Sequence, residues 1–324
     1  MTSLAVSIAA PDADSALAAL HQAAPDADLA ELRVDLMHDR DFELASLLEA
    51  RSLPVIVTCR PQREGGRWQG SETNRLNVLR AAADFQTDYI DLEWDAADEL
   101  ASFNRHRSRF ILSRHDFTAM PANLPDQAAA LWAAGADVVK LVGYAHRLAD
   151  ILPVLELLQQ ANGPTIAIAM GGCGLATRLL GFRYPNALLS FATLDAAAPR
   201  TAPGQISLTS MNKTYRVRSI GPDTRLVGWL AEDANDAPEV AAGNGWLAAR
   251  GIDARLIPLQ HAPDEATGET LVRLAQLLPL AGCLRPAAAG LHCWTQGSGT
   301  WAPVAADVPR VLAGLLETEP IYGA

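Results

Sequence analysis

The sequence predicts an α/β fold in which eight strands and their helices close a (β/α)8 TIM barrel, followed by a smaller C-terminal α/β domain. Three observations lead to this prediction. Short β-branched and apolar runs alternate with Ala- and Leu-rich stretches over about 210 residues, a typical size for such a barrel. No glycine-rich phosphate turn follows the first run, as an open doubly wound sheet would require. About 110 residues remain for a second domain.

The predicted strands share a composition rich in apolar and β-branched residues. They cover residues 4–10, 29–37, 54–60, 89–94, 109–117, 137–145, 165–171 and 188–194. Helical spacing recurs between them, for example over residues 14–20, 42–50, 75–84, 127–134 and 148–160. The loop Met170-Gly-Gly-Cys-Gly174 superficially resembles a phosphate turn, but it follows the seventh strand. We therefore interpret it as a place where backbones approach closely.

The C-terminal part, residues 213–324, predicts a small α/β domain after the barrel of residues 1–212. Residues 215–225 read as a linker into a new strand at 226–231. A second strand is predicted over 254–259, and helices over 240–250, 267–278 and 308–316.

Ionisable residues gather where the predicted strands hand over to the following loops, the edge at which barrel enzymes carry function. They include Glu31, Arg33, Asp35, Arg60, Glu64, Asp91, Glu93, His115, Asp116, Lys140 and Arg178. Charges inside strands are costly unless they are paired, so this many at one barrel mouth predict a site for a polar, anionic small molecule. Internal salt bridges are the alternative for the strand carboxylates, and a solvated helix face is the alternative for Arg178.

Two of these residues indicate a specific chemistry. Lys140 lies within the apolar run Asp137-Val-Val-Lys-Leu-Val-Gly143, and His115 ends the preceding predicted strand. Burial disfavours an ammonium ion and lowers a lysine pKa, which makes a neutral amine available to attack a carbonyl. We therefore expect imine chemistry with the amine among apolar neighbours. A lysine that snorkels from an edge strand is the alternative.

Seven motifs occur in the order seen in one family of barrel enzymes. They are Glu31-Leu-Arg33-Val-Asp35, Thr58-Cys-Arg60-Pro-Gln-Arg-Glu64-Gly-Gly66, Asp91-Leu-Glu93, Ser113-Arg-His115-Asp-Phe117, the strand lysine Lys140, Met170 with Thr177-Arg178, and Ala202-Pro-Gly-Gln205. Over residues 1–212 the sequence therefore resembles type I 3-dehydroquinate dehydratases.

The resemblance implies a hydro-lyase of the shikimate pathway, which eliminates water from 3-dehydroquinate through a Schiff base. Lys140 would form the imine with the C3 ketone, and no cofactor would be needed. His115 would remove the C2 proton and return it to the departing C1 hydroxyl, a double role that suits an imidazole. Glu64 would hold the histidine ring.

The resemblance also implies a set of substrate-binding residues. Arg178 would clamp the substrate carboxylate, which a planar bidentate donor does better than lysine. The other members of the set are Ser7, Glu31, Arg33, Arg60, Met170, Thr201 and Gln205. Two of these matches depart from the family pattern. Thr201 stands where the family has serine, and the alignment at Ser7 is loose.

The C-terminal part partly resembles the N-terminal, substrate-binding half of shikimate dehydrogenase. Where that family has a Ser-x-Ser-Pro motif, this chain has Asn235-Asp-Ala-Pro238, and the strand expected to end in a catalytic lysine reads Gly290-Leu-His-Cys-Trp-Thr-Gln296. The nicotinamide-binding domain of that family would follow, but the sequence ends at Ala324. We therefore expect a degenerate domain without dehydrogenase activity, which serves packing, oligomerisation or ligand sensing.

Composition sets limits on partners and location. The net charge of −11 argues against nucleic acid or an anionic membrane, since both demand a basic face. The histidines lack ligand-like spacing, so we expect no metal site. Four cysteines without a CxxC pair, and no basic, apolar leader, predict a cytoplasmic protein. Members of the resembled family are often dimers, so a homodimer is one expectation.

Two other functions stay open from the sequence. A different Schiff-base enzyme, such as a class I aldolase, would also use Lys140, but it would not require Arg178 and Gln205 together. A non-catalytic binding protein would retain the barrel and lose the chemistry, which the presence of Lys140, His115 and Glu64 argues against.

Overall fold

The computed structural model describes residues 1–37, 44–235, 237–288, 290–304 and 307–317. In its N-terminal part, strands and helices alternate along the chain. The strands are β1 (Ser3–Ile8), β2 (Leu29–Arg33), β3 (Val55–Thr58), β4 (Tyr89–Glu93), β5 (Arg109–His115), β6 (Val138–Tyr144), β7 (Thr165–Met170) and β8 (Leu189–Ala192). The helices are α1 (Ala13–Ala23), α2 (Leu44–Glu49), α3 (Glu72–Asp84), α4 (Leu124–Ala133), α5 (Leu152–Gln160) and α6 (Leu175–Leu180).

These strands form one parallel sheet that closes on itself. Neighbouring strands pair in the order β7-β6-β5-β4-β3-β2-β1-β8. The two ends of that order meet at a parallel bridge between Thr165 and Ala187, where the Leu188 amide donates to the Thr165 carbonyl at 2.9 Å. The predicted (β/α)8 barrel is therefore confirmed.

The barrel interior has an apolar floor and a polar mouth. Every second residue of a strand points inward, and the early inward positions of several strands are apolar, as at Ala5, Leu29, Ile56, Ile111 and Val138. Later inward positions on the same strands carry polar groups, since Ser113 on β5 lies opposite Lys140 on β6 and Ser7 on β1 lies opposite Glu31 on β2. The polar groups therefore collect at the carboxyl ends of the strands.

A second sheet follows the barrel. Its strands are β9 (Arg225–Ala231), β10 (Ala254–Gln260), β11 (Leu280–Ala287), β12 (Gly290–Trp294) and β13 (Trp301–Val304), and the accompanying helices are α7 (Pro238–Ala249), α8 (Gly268–Leu277) and α9 (Val308–Glu317). The order is β10-β9-β11-β12-β13, parallel for the first three strands and antiparallel after them.

Five elements of the C-terminal part were predicted and are present: β9, β10, α7, α8 and α9. Strands β11 and β13 were not predicted. Gly282 and Pro286 interrupt β11, and both residue types are depleted in strands. Pro303 and partial exposure mark β13 as an edge strand, which has no continuous apolar pattern.

The predicted linker is an ordered, clamped segment. Tyr215 and Val217 are buried, and Val217–Ser219 form a 3-10 turn. Arg183 of the barrel donates through Nη1 to the carbonyl oxygens of Gly221 (2.8 Å) and Thr224 (2.9 Å). Arg255 of β10 donates through Nε to the Tyr215 carbonyl at 2.8 Å. Buried guanidinium groups thus fix this segment to both parts of the molecule.

Some predicted boundaries are wrong. The strand predicted over 29–37 ends at Arg33, because Val34–Leu36 form a 3-10 turn held by a bidentate pair between Arg33 and Asp35. The helix predicted over 42–50 is present over Leu44–Glu49, one residue short of the predicted end, and residues 42–43 lie outside the described residues. In the described part of the chain, every helix is too short or too polar to cross a membrane.

Candidate active site

A single cavity at the carboxyl ends of the barrel strands brings the predicted site residues together. It encloses about 480 Å³, its open mouth included. All eleven residues predicted as catalytic or substrate-binding line it: Ser7, Glu31, Arg33, Arg60, Glu64, His115, Lys140, Met170, Arg178, Thr201 and Gln205. They come from strands and loops spread over 199 positions of sequence, so only closure of the barrel unites them.

Lys140 lies inside the barrel, which excludes the alternative of an edge-strand lysine. Its side chain is nearly inaccessible, and Nζ lies 2.7 Å from Oδ2 of Asp91 and 3.4 Å from Oε1 of Glu31. The ring of Phe191 lies 4.7 Å below Nζ. The expected apolar setting for the amine is therefore wrong, because two carboxylates contact it. Both carboxylates accept a hydrogen bond from the amine.

Arg60 pairs with Asp91, one of the two carboxylates that contact Lys140, and with Glu93. Its guanidinium pairs with Asp91 at 2.8 Å and Glu93 at 2.7 Å, and donates to the Ser113 hydroxyl at 2.8 Å. Burial alone would raise the pKa of Asp91, but Arg60 and Lys140 hold that pKa well below its ordinary range. Asp91 is therefore an ionised acceptor. Asp91 and Glu93 thus join an internal salt-bridge network, the alternative considered from the sequence.

His115 and Glu64 form a hydrogen-bonded pair at the cavity. Nδ1 of His115 lies 2.9 Å from Oε2 of Glu64. Burial, followed by the nearby charges of Arg60 and Lys140, lowers the pKa of His115 well below its ordinary value. Burial raises the pKa of Glu64 to about 7, although Arg60 opposes this. Where Glu64 is ionised it can only accept, so Nδ1 donates and Nε2 of the neutral imidazole is free of a proton.

Arg178 is a buried cation with few partners. It lies on α6 with 1% of its surface exposed, which excludes the solvated-face alternative. Its Nη2 donates to the Pro203 carbonyl at 3.2 Å, and its Nε has no hydrogen-bond partner among the described residues. Burial lowers the pKa of Arg178 to about 10, with a weaker opposite effect from Glu31. A buried, under-bonded guanidinium that lines a cavity is chemically suited to pairing with an anion.

Hydroxyl and amide groups form a further part of the cavity wall. Glu31 accepts from Ser7 Oγ at 2.6 Å and from Thr58 Oγ1 at 3.1 Å. Oε1 of Gln205 accepts from the Thr201 amide at 2.9 Å and the Thr201 hydroxyl at 3.2 Å. The loop after β8 is therefore folded around one side-chain amide.

Arg33 and Met170 line the cavity without a group that is free to take part in proton transfer or covalent chemistry. Arg33 forms a salt bridge with Asp35, which agrees with the structural alternative considered for Asp35 from the sequence. Part of the Arg33 side chain also lines the cavity. Met170 is fully buried at the end of β7 and supplies an apolar surface.

Several residues of the cavity were not named from the sequence. Phe117, Val142, Ile168 and Phe191 supply its apolar surface. Val142, Ile168 and Phe191 share the inward parity of Lys140, so strict alternation along the predicted strands could have found them. Within the described residues no group of three or more His, Cys, Asp or Glu side chains could hold a metal ion.

The comparison with protein families agrees with this geometry. A family model described as type I 3-dehydroquinase matches residues 4–222. The chain is 32% identical over 209 residues to a 3-dehydroquinate dehydratase of Methanothrix thermoacetophila, a match that covers 64% of this chain and 90% of that one.

Longer proteins also match. A chloroplastic bifunctional 3-dehydroquinate dehydratase/shikimate dehydrogenase of Arabidopsis thaliana is 34% identical over 214 residues, which cover 64% of this chain and 35% of that protein. The chain thus spans about a third of that relative.

Solved structures show the same fold. A type I 3-dehydroquinate dehydratase from Clostridium difficile, with covalently modified comenic acid, has a TM-score of 0.60 and 25% identity, covering 68% of this chain and 93% of that one. The dehydroquinate dehydratase and shikimate dehydrogenase of S. pombe AroM has a TM-score of 0.54 and 18% identity, covering 89% of this chain and 57% of that one. The latter match extends beyond the barrel into the second sheet.

Proposed function

Because the chain belongs to the type I 3-dehydroquinase family, we propose that it is a 3-dehydroquinate dehydratase of the shikimate pathway, which eliminates water to give 3-dehydroshikimate. The observation that carries the proposal is the cavity itself. An amine with an ionised acceptor, a neutral imidazole held by a carboxylate, and an under-bonded guanidinium all line it.

The first step is imine formation at Lys140. The neutral amine adds to the C3 ketone of the substrate and water leaves, which joins Nζ to C3 through an iminium ion. The ammonium donates a hydrogen bond to Asp91, whose Oδ2 lies 2.7 Å from Nζ, and it must lose its extra proton to water before the amine attacks. The iminium then withdraws electrons from C2, so the C2 proton becomes more acidic.

The second step is proton transfer by His115. Its unprotonated Nε2 takes the C2 proton, and the electron pair moves toward the iminium nitrogen as an enamine. The imidazolium is stabilised by Glu64, which accepts from Nδ1 at 2.9 Å. It then gives its proton to the C1 hydroxyl, which leaves as water while the enamine electrons form the C1–C2 double bond. Hydrolysis of the iminium releases the product.

Binding of the substrate uses the polar wall of the cavity. Arg178 pairs with the substrate carboxylate, which supplies the anion that its buried guanidinium lacks. Glu31, Arg33 and Arg60 frame the ring hydroxyls, and Met170 packs against the ring. Ser7, Thr201 and Gln205 supply further polar groups to the wall that surrounds the substrate.

The reaction needs no cofactor, since Lys140 itself supplies the electron sink. We further propose that the second domain has no dehydrogenase activity, because Asn235 and the segment around His292 replace the expected substrate motif and lysine. The four cysteines are free thiols, which supports a reducing, cytoplasmic location. A homodimer stays a prediction from the family resemblance.

Turnover of 3-dehydroquinate by the purified full-length chain tests the function. The product is a conjugated enone, so its formation is followed by ultraviolet absorbance. We expect turnover by the wild-type chain and none by Lys140→Met, which keeps the length of the side chain and removes the amine. A wild-type chain that binds the substrate without forming the enone would contradict the proposal.

A further inference from the structure

The helix that carries Arg178 is covered by the second domain. Helix α6 is only six residues long, and all six residues are buried. Its inner side packs on β7 of the barrel, and it also packs on β10, an edge strand of the second sheet. In a barrel standing alone, the outward side of such a helix would face water. Here the wall behind Arg178 is completed by the C-terminal domain.

Two amide side chains of that domain contact the loop that precedes α6. Nδ2 of Asn235 donates to the Gly172 carbonyl at 3.3 Å and to Oε1 of Gln260 at 2.7 Å. The Gln260 amide also lies directly on Gly172, where an added Cβ would approach its nitrogen and oxygen to 2.5 Å. Asn235 is the first residue of the segment that aligns with the Ser-x-Ser-Pro motif of shikimate dehydrogenases. In this chain its side chain contacts the barrel.

The loop that contains Gly171 and Gly172 also contacts the loop after β8, which lines the cavity. The Gly171 amide donates to the Pro203 carbonyl at 3.3 Å, and that carbonyl also accepts from Arg178. Gly204 has a φ of 77°, and an added Cβ would lie 2.4 Å from the Gly171 carbonyl oxygen. The loop after β8, which holds Thr201 and Gln205, therefore packs directly on the loop that Asn235 and Gln260 contact.

We propose that Asn235 and Gln260 are positioning residues for the dehydratase site, and that the C-terminal domain serves as the outer wall of the anion-binding part of the cavity. This inference rests on the proposed function. Further contacts join the C-terminal domain to the barrel. Glu265 accepts from the amides of Leu148 (2.8 Å) and Ala149 (3.0 Å) at the start of the barrel segment that leads into α5. Arg273 also pairs with Glu156 of α5.

The test uses the full-length chain with Asn235→Ala and Gln260→Ala, and Gln276→Ala as the matched control. Gln276 is an exposed amide on α8 of the same domain. We expect KM for 3-dehydroquinate to rise about three- to ten-fold in the two interface variants with kcat within about two-fold, the size that loss of one or two hydrogen bonds gives. Gln276→Ala should leave both constants unchanged.

A second readout is hydrogen–deuterium exchange of residues 171–180 and 201–205, which does not depend on activity. Exchange should accelerate in both segments in the interface variants and stay unchanged in the control. A lower melting temperature with KM and exchange unchanged would overturn the inference, because the interface would then be structural only. If the alanine variants fail to fold, Gln260→Asn withdraws the amide from Gly172 with less loss of volume. A wild-type chain without turnover would instead contradict the proposed function, and exchange would still decide the inference.

Discussion

Replacement of Arg178 by methionine should change the stability of the unliganded protein and its affinity for substrate in opposite directions. The guanidinium is buried on α6 and donates one hydrogen bond to Pro203, while Nε lacks a partner in the part of the chain that the structure describes. Methionine fills a similar volume with an unbranched, adaptable chain and brings no charge. We therefore expect Arg178→Met to make the unliganded protein more stable and substrate binding weaker.

The magnitude comes from the pKa of Arg178. Burial lowers this pKa from its ordinary value to about 10, and each pKa unit corresponds to about 1.4 kcal/mol, so the charged form costs the unliganded fold roughly 3 kcal/mol. Because the folded-state pKa lies below the unfolded-state value, this cost is present below pH 10 and declines as pH rises above it. After loss of the Pro203 hydrogen bond, about 1 kcal/mol, a gain of about 2 kcal/mol remains.

Thermal unfolding with and without ligand measures both effects. The unliganded variant should melt several degrees above wild type at neutral pH. KM for 3-dehydroquinate should rise by about 30-fold or more, since removal of one partner of a buried charge pair costs 2 kcal/mol or more. Arg178→Lys serves as the control, because it keeps a buried charge and should not gain stability.

Two results would refute the reasoning. A variant that melts below wild type without ligand would show that the guanidinium stabilises the fold. Unchanged KM would show that Arg178 does not hold the substrate carboxylate.

Three further predictions concern the groups around the reacting atoms. His115→Ala should still form the imine but lower kcat by about 100- to 10,000-fold, and normal turnover in steady-state kinetics would contradict its acid–base role. Burial raises the pKa of Glu64 to about 7, so kcat/KM should fall as pH decreases through about 7, where Glu64 gains a proton and no longer stabilises the imidazolium. Glu64→Gln should lower kcat about ten-fold or more and lose that pH limb; a retained limb would assign it to another group. Asp91→Asn should destabilise the fold by about 3–5 kcal/mol in denaturant unfolding, because it breaks buried pairs with Arg60 and Lys140; a change under 1 kcal/mol would show that those pairs add little.

Much of the barrel could be predicted because its signals are local in the sequence. Period-two alternation marks each strand, and the inward positions turn from apolar to polar along it, as from Ile111 to His115 on β5. Once eight such strands close in order, their carboxyl ends must meet. The cavity is therefore lined by all eleven residues to which the resemblance gave a catalytic or substrate-binding role.

The partners of those residues could not be predicted in the same way. Asp91 and Glu31 reach Lys140 from positions 49 and 109 residues away, so the carboxylate setting of the amine depends on the radius and register of the closed barrel. The role of Gly172 was also only partly visible. A close approach was predicted for the loop of residues 170–174, but the group that lies on Gly172 is the side-chain amide of Gln260. Gln260 belongs to the second sheet, and contacts between the two sheets produce no periodic pattern in the sequence.

Borohydride reduction of the full-length protein in the presence of 3-dehydroquinate, followed by peptide mass mapping, tests the imine at Lys140 most directly. We expect a substrate-dependent adduct on the peptide that contains Lys140, and none in Lys140→Met under the same conditions. An adduct on a different residue, or substrate turnover that leaves Lys140 unmodified after reduction, would contradict it.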